Sequence, residues 1–231
     1  MRRSLLRARD FVRLIGSGHA GEALRSLRVR ARSQSLSYGL RRDLNVPFAA
    51  PPAKIDLDVR PLTPHDDLSF LEPEPGLPSE VASARLGQRR LVEARVPTCW
   101  VAIARNGKPA YMQWLIGSQD NQRIRAQWDN LFPVLGPDEA LLEGAYTPEA
   151  YRGQGIMPYA MARIAEEAKH LGARYVITFV ADHNVPSLKG CKKAGFSPYV
   201  ERRLSWWFFR RSVTYTPLPA GTPYNFELEA R

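Results

Sequence analysis

The 231-residue sequence contains only two cysteines, Cys99 and Cys191, and four histidines. Two cysteines cannot build a disulfide framework, and neither has the paired spacing with histidine that is typical of zinc sites. No apolar stretch approaches the roughly 18 to 20 residues that a membrane-spanning helix needs. With 44% hydrophobic and 24% charged residues, the chain is predicted to be globular, metal-free and cytoplasmic, either soluble or peripheral at a membrane.

Lysine is absent from residues 1–46, which hold 11 arginines against 3 acidic residues, or +8 of the net charge of +10. Apolar residues recur there at helical spacing over 3–15 and 20–32, so a basic amphipathic helical extension is predicted. Such an extension suits an anionic membrane surface, an acidic partner or a transit peptide, or it packs on its own domain with its arginines solvated. Because the rest of the chain carries only +2, nucleic-acid binding is the least favoured function.

The remaining chain is predicted to divide into a proline-rich linker over 47–55, one α+β domain over 56–216 and a C-terminal tail over 217–231. Asn106-Gly107 between two apolar runs is a strong signal for a β-hairpin. Residue spacing and turn signals assign the other elements. The predicted helices cover 65–71, 80–94, 157–171 and 185–194, and the predicted strands cover 54–61, 98–105, 109–117, 140–147, 175–181, 199–209 and 212–216.

Two segments differ from their surroundings in composition. Residues 117–139 lack a clear period and are predicted to form a long functional or mobile loop. The run Trp206-Trp207-Phe208-Phe209 is predicted to belong to a strand buried on both faces, so core packing is favoured over a stacking platform for bases.

The stretch from Tyr146 to Ile156 joins a strand to a helix through a loop with two glycines, Gly153 and Gly155. Free N–H groups and the helix dipole make such a junction attractive to phosphate, and glycines let the phosphate approach the backbone. Pro158 supports the helix start, because proline is tolerated in a first helical turn. The Arg-Gly-x-Gly pattern alone is weak evidence, and a plain glycine turn before a helix is the alternative.

The motifs around this loop give it a context. Arg152-Gly153-Gln154-Gly155-Ile156-Met157 is followed by Asn184 and then by Gly195-Phe196, an order and spacing that resembles the GNAT superfamily of N-acetyltransferases. The resemblance covers about residues 56–216 and implies a mixed, mostly antiparallel sheet flanked by helices, with acyl-coenzyme A, in the simplest case acetyl-coenzyme A, as the donor. The residues that it assigns to coenzyme A binding are Ala145, Tyr146, Thr147, Arg152, Gly153, Gln154, Gly155, Ile156, Met157, Asn184 and Ser187.

The resemblance further implies direct attack of an acceptor amine on the thioester in a ternary complex, with no metal. This reaction needs a base for the amine proton, stabilisation of the oxyanion, and an acid or solvent for the thiolate. Backbone groups of 144–146 are implied to hold the pantetheine arm and polarise the carbonyl, while 117–139 covers an acceptor of unidentified structure. The candidate bases are Glu143 and then Glu139, and the candidate acids are Tyr146, Tyr199 and Cys191.

Two departures from the family pattern leave a second function open. Met157 stands where the family usually has a small residue, and Cys191 stands where many members have a tyrosine acid. A buried structural cysteine is the alternative to an acid at Cys191, and Asn184 is equally expected as a helix N-cap. The alternative function is therefore a GNAT-like module that binds acyl-coenzyme A without turning it over.

Overall fold

The computed structural model of the protein describes residues 28–228 except 73 and 75. These residues build one eight-stranded sheet in the order β2-β3-β4-β5-β6-β1-β7-β8. Neighbouring strands are antiparallel except β5 and β6, which are parallel, so the predicted mixed and mostly antiparallel α+β fold is confirmed. The strands are β1 (Arg32–Asp43), β2 (Leu57–Pro61), β3 (Cys99–Ala104), β4 (Pro109–Gly117), β5 (Glu139–Tyr146), β6 (Tyr175–Ala181), β7 (Ser197–Trp207) and β8 (Arg210–Pro217).

Helices cover both faces of the sheet. The helices after the start of the sheet are α1 (Ser79–Glu93), α2 (Asn121–Trp128), α3 (Ile156–Glu167), α4 (Val185–Lys193) and a short α5 (Asn225–Leu228). On one face α3 and α4 pack Ile164 and Leu188 into a core cluster, and on the other α1 and α2 contribute Leu91 and Ile124 to a second cluster. Alternate residues of the strands supply both cores, as with Leu141 and Leu142 of β5, because successive side chains of a strand point to opposite faces.

Strand β1 is the largest difference from the sequence analysis. We predicted helix as far as residue 32 and treated 1–46 as an extension ahead of the domain, but residues 32–43 lie inside the sheet between β6 and β7. Arg42 of β1 is buried, with its guanidinium bound to Glu166 and donating to the Ala162 carbonyl oxygen at 3.1 Å. The arginines of this strand made its sequence resemble a solvated surface, although Arg42 is paired inside the fold. The part of the predicted extension over residues 1–27 lies outside the described residues, and residues 28–31 are helical.

Three smaller segments also differ from the predictions. Residues 117–139 are not a structureless loop, because α2 lies within them. The stretch 65–71 contains only a short 3-10 turn over 69–71 instead of a helix. The C-terminal tail is attached to the domain, since Tyr224 is buried and its hydroxyl donates to the Phe196 carbonyl oxygen at 2.6 Å.

The aromatic run at the end of β7 is not a strand buried on both faces, as we predicted. β7 ends at Trp207, and Phe208 and Phe209 form the two-residue turn to β8. The exposed fractions of Trp207, Phe208 and Phe209 are 55%, 71% and 59%. The run has high β propensity and no turn-forming residue, so a continuous strand was predicted, whereas the pairing of β7 with β1 and β8 ends at Trp207, in the middle of the run.

The sheet opens between its two parallel strands. β5 and β6 pair only from Glu139 to Leu141 against Tyr175 to Ile177, and their C-terminal halves diverge. β5 stays paired with β4 through an irregularity in register between Met112 and Trp114. This divergence leaves a gap through the centre of the sheet, and the gap positions the candidate site.

Candidate active site

A cavity of about 870 Å³ lies at this opening, where the end of β5 faces the N-termini of α3 and α4. Ten of the eleven residues that sequence analysis assigned to coenzyme A binding line it. The eleventh, Gln154, turns its side chain away, and its Nε2 donates to the Ala150 carbonyl oxygen at 3.3 Å. The ten lining residues are Ala145, Tyr146, Thr147, Arg152, Gly153, Gly155, Ile156, Met157, Asn184 and Ser187.

The glycine loop presents its backbone to this cavity. Gly153 and Gly155 have φ angles of +76° and +73°, a left-handed conformation that glycine adopts without strain. The Lys54 N–H donates to the Gln154 carbonyl oxygen at 2.9 Å, so the proline-rich segment supports the loop from behind. No side chain in the described part of the protein caps the first turn of α3. With Lys189 and Lys193 lining the same cavity, the loop has the geometry and charge of a phosphate-binding site.

Arg152 holds the loop in shape. Its Nε donates to the Thr147 carbonyl oxygen at 3.2 Å, and its Nη2 donates to a Glu149 carboxylate oxygen at 2.6 Å. Both contacts close the short segment between β5 and α3. Arg152 therefore stabilises the path of the loop while remaining at the cavity wall.

Met157 and Asn184 fit the cavity for identifiable reasons. The Met157 thioether lies over Gly190 of α4, where an added Cβ would come within 2.9 Å of its sulfur. A glycine at 190 therefore makes room for the large side chain that departs from the family pattern. Asn184 is the N-cap of α4, since its Oδ1 accepts from the Ser187 N–H at 3.2 Å, and it also lines the cavity. The predicted capping role is observed.

A second cavity, of about 260 Å³, occupies the gap between β5 and β6. It adjoins the larger cavity, since Ala145, Met157, Asn184 and Ser187 line both. Its walls come from both faces of the sheet and from α1, α3 and α4, so it reaches from the face that carries α3 and α4 toward the opposite face. The remaining residues in these walls are Gln88, Gln113, Glu143, Gly144, Thr178, Phe179, Val180, Ala181, Met161 and Cys191.

Glu143 is the carboxylate that lies in this gap. Desolvation by the surrounding protein raises the pKa of Glu143 to about 7, although nearby Arg202 and the Gly144 N–H favour the charged form. A carboxyl group with a pKa near neutrality suits a general base at physiological pH, because it is substantially deprotonated and still basic enough to accept a proton. The geometry therefore supports Glu143 as the first candidate base.

Glu139 and Tyr199 lie elsewhere. Glu139 begins β5, and its carboxylate accepts from the Gly136 N–H at 2.9 Å; four residues of strand, roughly 13 Å, separate it from Glu143. Tyr199 faces Arg41 and lines a different cavity together with Tyr175, at the start of β6 and so away from the gap. The structure does not bring these two candidates to the site.

Tyr146 and Cys191 are both at the site, with their reactive atoms occupied. The Tyr146 hydroxyl lies 3.3 and 3.4 Å from the two carboxylate oxygens of Glu149, and burial raises the Tyr146 pKa. The Cys191 thiol is buried 3.8 Å from the Met161 sulfur, and burial raises its pKa to about 12. Both groups are therefore protonated at neutral pH and are weak proton donors.

Sequence analysis missed three buried polar residues at this site. The Tyr111 hydroxyl donates to Gln113 Oε1 at 2.8 Å, and Tyr111 lines the larger cavity. Gln113 and Gln88 are 1% and 8% exposed, yet Gln113 Nε2 and Gln88 Oε1 have no hydrogen-bond partner among the described residues. Buried polar atoms normally have partners, so two that line a cavity without one are candidates for ligand contact. A single glutamine in a strand or a helix forms no motif that could have revealed Gln113 or Gln88.

Known proteins that resemble the chain identify its family. The family model described as "Acetyltransferase (GNAT) family" matches residues 65–196, more than half of the chain. The chain belongs to the GNAT acetyltransferase family. The family predicted from the glycine loop is thereby confirmed.

GNAT proteins of known sequence or structure resemble only parts of the chain. YwnH from Bacillus subtilis (strain 168), provisionally named a phosphinothricin acetyltransferase, is 39% identical over 54 residues, which are 23% of this chain and 33% of that protein. A glucosamine N-acetyltransferase region in a fungal multi-domain GH3 β-N-acetylglucosaminidase matches with a TM-score of 0.52 and 15% identity, over 80% of this chain and 22% of that one. A GNAT acetyltransferase from Colwellia psychrerythraea matches with a TM-score of 0.47 and 17% identity, over 78% of this chain and 58% of that one. The chain thus spans a third of the curated relative.

Two further properties concern metals and membranes. Among the described residues, histidine, cysteine and acidic side chains do not gather into a group of three that could hold a metal ion. None of the helices within residues 28–228 combines the length and apolar character that crossing a membrane requires.

Proposed function

We propose that this GNAT protein is an N-acyltransferase that moves an acyl group, in the simplest case acetyl, from coenzyme A to an amine by direct attack in a ternary complex. The observation that carries the proposal is the junction of the two cavities in the gap between β5 and β6. The glycine loop lies on one side of the junction and a carboxylate with a near-neutral pKa lies in it. A donor held by the loop and an amine beside Glu143 would meet at this point.

Glu143 accepts the proton of the attacking amine in this mechanism. An ammonium group has no lone pair, so the amine must be neutral when it attacks the thioester carbon. The carboxylate takes the proton directly or through one water molecule and returns it to solvent. As the carbon–nitrogen bond forms and the carbon–sulfur bond breaks, the acyl group leaves coenzyme A as an amide.

Gln113 is proposed to stabilise the oxyanion of the thioester. Its Nε2 is a buried donor without a partner that lines the gap beside Ala145. A donor that is already desolvated and oriented gains most when negative charge develops on the carbonyl oxygen. Backbone N–H groups at 144–146 are proposed to assist, because β5 has lost its pairing with β6 there.

The leaving thiolate is proposed to take its proton from solvent. An ordinary thiol has a pKa of about 8.5, so proton transfer from Cys191, with a pKa of about 12, would be uphill by about 5 kcal/mol. Tyr146 and buried Tyr111 have the same disadvantage, since burial raises the pKa of each. A thiolate does not require immediate protonation to leave, so an internal acid is dispensable.

The acceptor is proposed to enter from the face that carries α1 and α2. Phe132 lies in the segment after α2, and its ring centroid is 5.6 Å from that of Phe179, which lines the gap. The 117–139 segment therefore forms part of the wall on that face. The names of the relatives suggest two first acceptors, phosphinothricin and glucosamine.

The test is thiol release from acetyl-coenzyme A with a panel of amines, amino sugars and peptides that includes these two compounds. Calorimetry on the same protein measures donor binding separately. Acyl transfer to an amine, identified by mass spectrometry, is the expected result. Tight donor binding without transfer to any class of amine would favour the alternative function, a non-catalytic acyl-coenzyme A-binding module.

The protein is also proposed to be cytoplasmic, and its basic N-terminal region is proposed to contact an anionic membrane or an acidic partner. The test compares the full chain with one that begins at Arg28. β1 starts at Arg32, so a start beyond that strand would remove a central strand of the sheet. Weaker salt-sensitive vesicle or acidic-protein binding on truncation is the expected result. Salt-sensitive DNA retention that needs the same residues would instead favour the nucleic-acid function.

A further inference from the structure

The turn between β7 and β8 has a backbone conformation that its residues rarely adopt. Phe208 and Phe209 both have positive φ angles, +44° and +63°. A two-residue hairpin turn with positive φ at both positions is favoured by Asn-Gly and similar pairs, and large side chains are outliers there. The turn is nevertheless anchored, because the Phe208 and Phe209 N–H groups donate to the Ala31 and Arg30 carbonyl oxygens at 2.9 and 2.8 Å. An unfavourable conformation is thus held in place by the end of the helix before β1.

The rings that this turn projects have little contact with the rest of the protein. Phe208 and Phe209 are 71% and 59% exposed, and Trp207 beside them is 55% exposed. Trp207 and Phe208 contact each other edge to face with centroids 5.1 Å apart. Val29, 42% exposed, precedes the anchoring residues. These four exposed apolar side chains at one end of the sheet form a patch of the kind that marks a protein or membrane interaction site.

The charges beside these rings are positive. Arg28, Arg32 and Arg210 are exposed, and none of the three forms an ion pair within the part of the chain that the structure describes. The Arg32 guanidinium lies 5.2 Å from the Trp207 ring centroid. Asp129 is the nearby carboxylate, and it is already paired with Arg211. The surface therefore combines exposed aromatic rings with guanidinium groups that no carboxylate among the described residues pairs.

We propose that this tip, residues 207–210 with Arg28, Val29 and Arg32, docks the protein onto an anionic lipid bilayer. Aromatic rings on an exposed hairpin turn can enter the headgroup and upper acyl region, where apolar side chains are buried by about 5–10 Å. The guanidinium groups then face lipid phosphates, each strengthening binding roughly fivefold at low salt. The cavity beside Phe209, which Arg30, Asp129, Trp206 and Arg211 also line, has only about 260 Å³, below the ~300–1,000 Å³ of typical ligand pockets. Trp207 and Phe208 meet edge to face, so they do not form a flat platform on which successive nucleic-acid bases could stack.

Docking at the tip would also orient the candidate active site. Arg211 of β8 donates to the Trp128 carbonyl oxygen at 2.8 Å, and Arg202 and Tyr215 donate to the Leu131 carbonyl oxygen at 3.1 and 2.7 Å. These contacts tie the β7–β8 hairpin to the 117–139 segment on the face where the acceptor is proposed to enter. A membrane-bound tip would thus bring that face toward the bilayer surface. The docking proposal does not depend on the proposed reaction.

The experiment is sedimentation of the full chain with vesicles of phosphatidylcholine containing phosphatidylglycerol, and with pure phosphatidylcholine. The decisive variant replaces Phe208→Asn together with Phe209→Gly. This pair favours the existing turn conformation, so the variant should fold at least as well as the natural protein while losing both rings. Val46→Asn is the matched control, because Val46 is 59% exposed and lies beyond the other end of β1.

We expect the natural chain to sediment with anionic vesicles and the Phe208→Asn, Phe209→Gly variant to bind at least tenfold more weakly, with Val46→Asn unchanged. Arg32→Gln with Arg210→Gln should weaken binding at low salt and have less effect at high salt. Equal binding by the turn variant would overturn the proposal and assign any membrane contact to residues 1–27. Failure of the natural chain to bind vesicles would also overturn the proposal. The same holds if the turn residues are needed only for a dimer, measured by sedimentation equilibrium, or only for retention on DNA.

Discussion

Replacing Glu143 by glutamine removes one proton-accepting group and leaves the shape of the gap almost unchanged. The Glu143 carboxyl lies where the two cavities adjoin, and desolvation raises its pKa to about 7. A base acts on the amine and not on the pyrophosphate of the donor. Glu143→Gln should therefore lower kcat by about 10²–10⁴-fold while the dissociation constant of acetyl-coenzyme A stays within about twofold.

The pH dependence follows from the same pKa. The deprotonated fraction of Glu143 rises from about one tenth at pH 6 to about nine tenths at pH 8. Because the carboxylate is the active form, kcat/KM of the natural protein should increase about ninefold over this range and level off above it. The residual activity of Glu143→Gln should lack this rise near pH 7.

Thiol release measured across pH, with calorimetry for donor binding, provides the assay. Glu139→Gln is the matched control, since it makes the same chemical change on the same strand at a carboxylate held by the Gly136 N–H. Its kcat should remain within about twofold of the natural value. Normal turnover and an unshifted pH profile in Glu143→Gln would refute the role of Glu143. Equal loss of donor affinity and turnover would instead make Glu143 a binding residue.

Four further outcomes are expected. In thermal unfolding, the stability of Glu143→Gln relative to the natural protein should increase from pH 5 to pH 8 by up to about 3 kcal/mol. The raised pKa stabilises the folded natural protein while Glu143 is protonated, and this contribution is lost as pH rises through 7. A difference that does not change with pH would contradict the raised pKa. Gly155→Val should abolish acetyl-coenzyme A binding in calorimetry with secondary structure retained, since φ is +73° and the new Cβ would lie 3.2 Å from the Pro52 carbonyl oxygen; unchanged affinity would remove the loop from the donor site. Cys191→Ala should keep kcat within about threefold, and a loss of a hundredfold would restore the thiol as the acid. Gln113→Leu should lower kcat by roughly 10²-fold with donor affinity preserved, and full activity would exclude it as an oxyanion donor.

Local chemistry was enough to predict several parts of this structure. Asn106-Gly107 marks the β3–β4 hairpin, the dense β-branched and aromatic run marks β6 at the residues observed, and the glycine loop marks the start of α3. Each of these depends on residues close in sequence, where backbone conformational preference dominates. The same locality explains why eight of the predicted donor-site residues line one cavity, since those within 145–157 belong to consecutive strand, loop and helix segments, whereas Asn184 and Ser187 reach the cavity from the start of α4.

Contacts between distant residues determined the remainder. β1 has arginines that look solvated until Glu166, more than a hundred residues away, binds Arg42, and its pairing with β6 and β7 depends on the whole sheet. Phe208 and Phe209 form a turn although their propensity favours a strand, because neighbouring strands and the Arg30–Ala31 carbonyls end the pairing there. Gln88 and Gln113 become neighbours of Glu143 only when α1 and β4 pack around the gap. Burial and partner choice depend on separations in space, and a one-dimensional pattern of residue types carries no measure of them.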